Sequence, residues 1–330
     1  MLIHGDNLRG KEKHKKKYTD AKSRQYLAEI RAKYDEWHSR NMALVGPRMG
    51  ISNRDKEALY ERVALLEHYK NFLDQQHYAE TFDSRSNLHS SVLEEFLYYL
   101  FKDLVEDFGI YSLLGKSHTF KDIFFVAPNY RKMLQTPHGR IEKKDHDFVI
   151  GVRVQASLQT VKPRSDSQRD LVADALQNED VDLESQVTVP VEELSEFNEE
   201  VGAGDAEIHH FDIPSIAIEC KTYLDKTMLE GSSRAAEELK ARNPNGLYIV
   251  VMEWIKLSEA VNLRKYKVDQ IYVLRKQKNT DREYRFLEGY SKNIIDPEVV
   301  WHLFCAVRAH LTTDWTGSVE HGLKRGWLID

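Results

Sequence analysis

Glu219 and Lys221 stand two residues apart in Ile213-Pro214-Ser215-Ile216-Ala217-Ile218-Glu219-Cys220-Lys221, a short apolar stretch that reads as a strand. Side chains alternate across a strand. Ile216, Ile218 and Cys220 therefore face one way, and Ala217, Glu219 and Lys221 the other. The carboxylate and the ammonium are roughly 6.6 Å apart along the chain, at about 3.3 Å per residue. A carboxylate that holds a hard cation, beside a lysine that positions a water, suits metal-assisted phosphodiester hydrolysis. Taken alone, an acid and a lysine at this spacing are more often a solvated strand face than a site.

The elements on either side raise its meaning. Upstream, His146 to Val154 reads as a second strand with Asp147 at its start, and Asp145 lies two residues earlier on the same face. Downstream, Met228 to Arg242 has the period of a helix and Leu247 to Met252 that of a buried strand. This order (acid strand, acid-x-lysine strand, helix, apolar strand) resembles the PD-(D/E)XK nuclease superfamily over roughly residues 85–275.

The resemblance implies an α/β fold, a restriction-endonuclease-like core with a mixed central sheet flanked by helices. It makes Asp147, Glu219 and Lys221 the catalytic set. Asp147, Glu219 and Cys220 become the positions that hold Mg²⁺, with backbone carbonyl and water oxygens completing the shell. Lys221, its pKa lowered by desolvation or a nearby cation, orients or helps deprotonate the attacking water. Nucleases of this kind often carry a glutamate on a helix ahead of the aspartate strand. Glu94, at the border of the apolar face of a helix over Ser90–Phe108, fits that place, whereas Glu95 points nearly opposite that face. The chain departs from the family pattern in having His146, and no proline, before Asp147.

Composition is compatible with this. The 330 residues are 41% hydrophobic, enough for a core, and no run of eighteen apolar residues suggests a membrane span. The N-terminus lacks the apolar segment of a secretory signal. Cys220 and Cys305 are the only cysteines and read as reduced thiols, so a cytoplasmic location is expected. The net charge of −6 is unevenly spread. Residues 162–212 hold fifteen acidic and three basic residues, a net of −12, which leaves +6 elsewhere. Residues 1–54 hold thirteen basic and six acidic residues. A basic end can meet phosphates, which dominate nucleic-acid affinity.

Helices are expected over residues 18–45, over about 52–76 and from Asp296-Pro297 through Leu311. Thr119–Val126 and Tyr266–Arg275 read as further strands, and Asn129–Arg140 as a basic loop. Residues 1–80 are read as a helical basic region that could recognise DNA, and 81–330 as the nuclease domain, interrupted by an acidic insertion at 162–212. Within that insertion His209, His210 and Asp212 could also be imagined as a metal site. Arg131, Lys132 and Arg140, with Ser233 and Arg234 on the following helix, are candidate contacts to DNA phosphates.

Size and layout resemble a type II restriction endonuclease. The pattern of Phe82–Leu104 and Ile218–Asp225 is most similar to enzymes that cut asymmetric sites with two different subunits. The resemblance implies double-stranded DNA as substrate, Mg²⁺ as cofactor, and a homodimer or a heterodimer with a second nuclease subunit. Two rivals are a repair or recombination nuclease of the same superfamily and a DNA-binding protein with a decayed nuclease fold.

Overall fold

The computed structural model describes residues 2–82, 88–109, 111–125, 127–135, 139–158 and 207–313. It divides into two compact units. The first takes residues 1–121, 143–154 and 211–330, and the second takes 122–142 and 155–210.

In the first unit, two long helices stand between two short ones at the start of the chain: α1 (Ile3–Glu12), α2 (Ala21–Ala43), α3 (Asn53–Leu73) and α4 (Gln76–Thr81). Local chemistry sets their starts. Asp20 accepts from the Ser23 N–H at the start of α2, and Ser52 and Asp55 cap α3 reciprocally. Then comes α5 (Ser90–Glu106), twelve of whose seventeen residues are buried, so it is a central helix rather than an amphipathic surface one.

Five strands form one sheet in the order β1 (Ser112–Phe125), β2 (Gly139–Leu158), β3 (Glu207–Leu224), β4 (Leu247–Ile255), β5 (Gln270–Val273). The helix α6 (Tyr130–Gln135) lies between β1 and β2, and α7 (Lys226–Lys240) crosses from β3 to β4. The last helix is α8 (Pro297–Thr312), with Asp296 capping it and proline in its first turn. β3 and β4 are parallel, with Glu219 beside Val250 and Lys221 beside Met252, and β4 pairs parallel with β5. The second unit takes the outer ends of β1 and β2, α6 and the beginning of β3.

Both faces of the sheet are covered, which is why β4 is a nearly continuous apolar run. Ile216, Ile218, Cys220 and Val251 pack into the larger core with α1–α3, α5 and α8. Ala217, Val149, Val250 and Met252 pack against Leu229, Ala236 and Leu239 of α7. Each buried Val, Leu, Ile or Met side chain among these contributes about 1.5–3 kcal/mol of burial. Lys70 of α3 pairs with Glu253 of β4 at 2.6 Å, both inaccessible, and Arg275 joins them at 2.7 Å. At Gly151 a Cβ would meet the Ile213 carbonyl oxygen at 2.2 Å, so glycine there permits the close approach of β2 to β3.

Several expectations are corrected. The helix α1 lay outside the expected elements. The Asn129–Arg140 loop contains α6, and the strand expected over Tyr266–Arg275 shortens to Gln270–Val273, because Leu263–Lys265 forms a 3₁₀ turn. The acidic insertion ends sooner than residue 212, since β3 begins at Glu207. Residues 162–206 lie outside the described residues. Asp212 is a buried strand residue whose carboxylate accepts from Arg153 Nε at 2.8 Å and from Ser117, so it is committed to an ion pair and not to a metal.

Candidate active site

β2 and β3 bring the three acid and lysine positions together. The Cys220 N–H donates to Asp147 Oδ2 at 2.9 Å, which fixes one carboxylate oxygen against the neighbouring strand. Lys221 Nζ donates to Glu219 Oε1 at 2.5 Å and lies 3.6 Å from Asp147 Oδ2. The Tyr248 hydroxyl donates to Glu219 Oε2 at 3.2 Å. The side chains of Asp147, Glu219 and Lys221 are 27%, 21% and 26% exposed, so they are held by protein yet reachable. Asp147 and Lys221 line a polar cavity of 590 Å³, together with Glu94, Lys116, Cys220 and Thr222.

Charge is concentrated here. Burial and the neighbouring Glu219 carboxylate raise the pKa of Asp147, with Lys221 opposing. Burial and the Asp147 charge push Glu94 up to about 7, against Lys116 and Lys221. Lys221 departs from expectation. Burial works against its charge, but Glu219 and Asp147 together hold its pKa above the ordinary value. It is therefore an ammonium at neutral pH, a donor and not a proton acceptor.

The other candidate residues fall in different places. Cys220 buries its thiol in the core, so only a backbone oxygen of this residue suits a hard cation. Asp145 is exposed and pairs with His118 at 2.5 Å. Ser233 is corrected: it is buried, and its hydroxyl accepts the Lys267 N–H at 2.9 Å, so it is not available to a phosphate. Arg234 is 83% exposed and lies 3.6 Å from Glu238. Arg131, Lys132 and Arg140 belong to the second unit, the first two on α6, and all three are exposed. His146, the residue before Asp147, is buried edge-on against Tyr248, with ring centroids 5.8 Å apart.

Glu95 does not face solvent. It is inaccessible, and the His4 and Gly5 N–H groups donate to its Oε2 at 2.8 and 3.1 Å. Tyr34 donates to its Oε1 at 2.9 Å, and the Tyr99 hydroxyl donates to the same oxygen. It closes the N-terminus of α1, which has no cap of its own. The residues that sequence reasoning missed are Lys116, Tyr248, His89 and Arg282. Lys116, Tyr248 and Arg282 come from other elements of the chain, and His89 directly precedes the helix that carries Glu94.

Among the described residues, no group of three or more His, Cys, Asp and Glu side chains forms a metal cluster. The donor set that does converge is two carboxylates bridged by one ammonium. All its acceptors are hard oxygens, which fits Mg²⁺, an ion that takes one or two carboxylates and otherwise water and phosphate oxygens. The raised Asp147 also shows like charges held together, a repulsion that a divalent cation relieves.

A helix-flanked mixed sheet with this carboxylate and lysine group defines a nuclease of the restriction-endonuclease-like class. The family model for the Bpu10I restriction endonuclease matches residues 85–177 and 176–328, and the chain belongs to that family of type II enzymes. Among solved structures, a chain of the "native BbvCI A2B2 tetramer at low resolution" has the same fold, with a TM-score of 0.59 and 19% identity over 96% of this chain and 98% of that one. No curated protein matches the chain. No helix among the described residues is long and apolar enough to cross a membrane.

Proposed function

We propose that the chain is a Mg²⁺-dependent, site-specific endonuclease that hydrolyses DNA phosphodiester bonds. Asp147, Glu219 and Lys221 form its catalytic set in the manner of the PD-(D/E)XK superfamily. The observation that carries the reading is the convergence of Asp147 and Glu219 on Lys221 Nζ, at 3.6 and 2.5 Å, with Asp147 and Lys221 lining an open polar cleft. Mg²⁺ held by the two carboxylates and a backbone oxygen at Cys220 would offset phosphate charge and lower the pKa of water. Lys221, kept charged by its two acids, orients the attacking water and faces the developing phosphate charge. Tyr248 fixes the rotamer of Glu219. Glu94, with its raised pKa, holds a proton near pH 7 and gives it up when a cation enters the cleft.

The family match and the A2B2 assembly of the related structure support a subunit that acts with a second nuclease chain, each cutting one strand. Arg131, Lys132, Arg140 and Arg234, with the basic N-terminal region, are proposed to meet DNA phosphates. The test is cleavage of supercoiled and linear DNA in Mg²⁺ and in EDTA, with wild type and Lys221→Ala. Discrete fragments lost in EDTA and in the variant are expected of a complete enzyme. Nicked circles alone are expected of a subunit that awaits its partner. Cleavage at an equal rate in the variant overturns the assignment.

A further inference from the structure

A second cavity, of 350 Å³, lies in the first unit between α7 and the strands β1, β2 and β3. Among the described residues, none lines both it and the catalytic cleft. The apolar part of its wall is aromatic and aliphatic. Phe120 of β1 and Phe211 of β3 meet there with ring centroids 5.2 Å apart, and Leu239 of α7 joins them. Arg242, just past the end of α7, holds its guanidinium 6.0 Å from the centre of the Phe120 ring and donates to the Glu238 carbonyl. Asn243 Nδ2 donates to the Pro214 carbonyl at 2.9 Å, which ties that end of the helix to β3.

The polar groups of the lining are unevenly satisfied. Asp212 is spent on Arg153 and Ser117. Glu238 meets Arg234 at 3.6 Å, longer than a hydrogen bond, so its carboxylate keeps lone pairs to offer. His146 is 4% exposed, and its Nδ1 is buried with no partner among the described residues. Buried polar atoms of native proteins are nearly always bonded, so an orphan on a cavity wall asks for a partner from outside.

We propose that this cavity is a nucleobase site for a single base with an exocyclic amino group. Phe120 and Phe211 pack against the face of the base, Glu238 and His146 meet its edge, and Arg242 and Lys144 meet its phosphate. Aromatic rings and guanidinium planes are the surfaces on which unstacked bases settle. A carboxylate accepts an amino N–H, and an imidazole nitrogen donates to or accepts from the adjoining ring position according to its tautomer. Thymine or uracil would turn a carbonyl oxygen toward Glu238, two acceptors facing each other. Arg242 and Lys144 are exposed, which keeps the phosphate at the mouth. The volume is at the small end of ligand pockets, which run from about 300 to 1,000 Å³, so it suits one nucleoside and not a helical segment. The base comes from a free nucleotide or from a DNA strand that has turned one nucleotide out of its stack.

The experiment titrates the full chain, in EDTA, with deoxycytidine monophosphate, deoxyuridine monophosphate and deoxyribose phosphate by calorimetry. The two nucleotides differ at the edge of the base, amino against carbonyl. The cytidine nucleotide is expected to bind about 10-fold more tightly than the uridine nucleotide or the sugar phosphate. A second arm adds the chain to a duplex that carries fluorescent aminopurine, whose emission rises when the base leaves the stack. Phe211→Ala is expected to weaken either signal about 10-fold. Glu238→Gln offers a donor beside its acceptor, and is expected to erase the preference between nucleotides and to lower the aminopurine signal. This variant keeps the test open if Phe211→Ala fails to fold. Nucleotide binding without the fluorescence rise assigns the site to free nucleotides, and the rise without nucleotide binding assigns it to an extruded base. Neither signal in the wild type overturns the site. So does a signal that persists at wild-type strength in Phe211→Ala, or a preference that survives Glu238→Gln. Cleavage enters neither readout, so failure here leaves the nuclease reading of the cleft untouched.

Discussion

Glu94 and Glu95 are neighbours on one helix, and they serve two different regions. Glu95 sits in a dry knot at the start of α1, where two backbone N–H groups and two tyrosine hydroxyls fill its acceptor positions. Glu94 opens on the cleft with Asp147, Lys116 and Lys221, and its pKa is pushed up to about 7 by burial and the Asp147 charge. In the first region, protein donors satisfy the buried charge and the group is structural. In the second, carboxylates repel one another, and the protein answers with Lys221 and Lys116, the Tyr248 hydroxyl and the Cys220 N–H. Oxygen lone pairs remain there for something from outside. Burial alone therefore does not separate a site from a core; the completeness of the hydrogen bonding does.

The strongest contrast follows from removing one carboxylate from each region. Glu219→Ala is expected to lower metal-dependent cleavage by on the order of 10³-fold or more. Its unfolding free energy in urea should stay within about 1 kcal/mol of wild type, because the loss of two bonds is offset by relief of the repulsion with Asp147. Glu95→Ala is expected to do the reverse, costing about 3 kcal/mol or more of stability, since its donors are left buried and unpaired. Cleavage should persist at temperatures where that variant remains folded. A cleavage defect in folded Glu95→Ala, or a large stability loss in Glu219→Ala, would dissolve the distinction.

Much of the scaffold was legible because its signals are local. Ser52 and Asp296-Pro297 mark helix starts that the structure keeps, and the apolar run of β4 marks a strand covered on both faces. The spacing of Glu219 and Lys221 is likewise local. What escaped depends on distant partners. The helix α1 carries two glycines and little apolar periodicity, and is held by Glu95 from another helix. Glu95 was placed toward solvent because periodicity assigns one wet face, whereas α5 is enclosed on both sides. Tyr248 at the start of β4, Lys116 on β1 and Arg282 in a 3₁₀ turn carry no pattern of their own. The raised pKa of Lys221 needed the positions of two carboxylates, one of them from another strand.

A smaller effect sharpens the contrast through pH. An ordinary glutamate titrates at about 4.3, and Glu94 in the folded chain at about 7. The folded state therefore binds this proton more tightly than the unfolded state. Between those two values the unfolding free energy falls as pH rises, and the cost is complete above about pH 7. Glu94→Gln keeps the shape and removes the charge. In urea with EDTA it is expected to exceed wild type by about 2 kcal/mol near pH 8, a figure reduced for partial solvent access, and to converge with it near pH 4. A gap that is constant with pH would mean that Glu94 ionises normally and is not strained by the cleft.

The smallest expected effect tests the neutral side-chain bond made to Glu219. Tyr248 is fully buried, rests edge-on against His146, and donates to Glu219 Oε2 at 3.2 Å. Tyr248→Phe keeps the ring and removes only the hydroxyl, so stability should change by about 1 kcal/mol or less. Glu219 would then be steered by Lys221 alone, and its second oxygen would swing. Partners that orient a ligating carboxylate contribute about 10- to 100-fold in metal affinity. The lower value is expected here, about 10-fold weaker Mg²⁺ binding by titration calorimetry, because Lys221 still holds the first oxygen at 2.5 Å. Cleavage should recover at high Mg²⁺, since the residue acts on the position of Glu219 and not on the phosphate. Unchanged Mg²⁺ affinity would show that Glu219 is held well enough without its tyrosine. The cleft would then resemble the Glu95 knot in rigidity, and would differ from it only in being open.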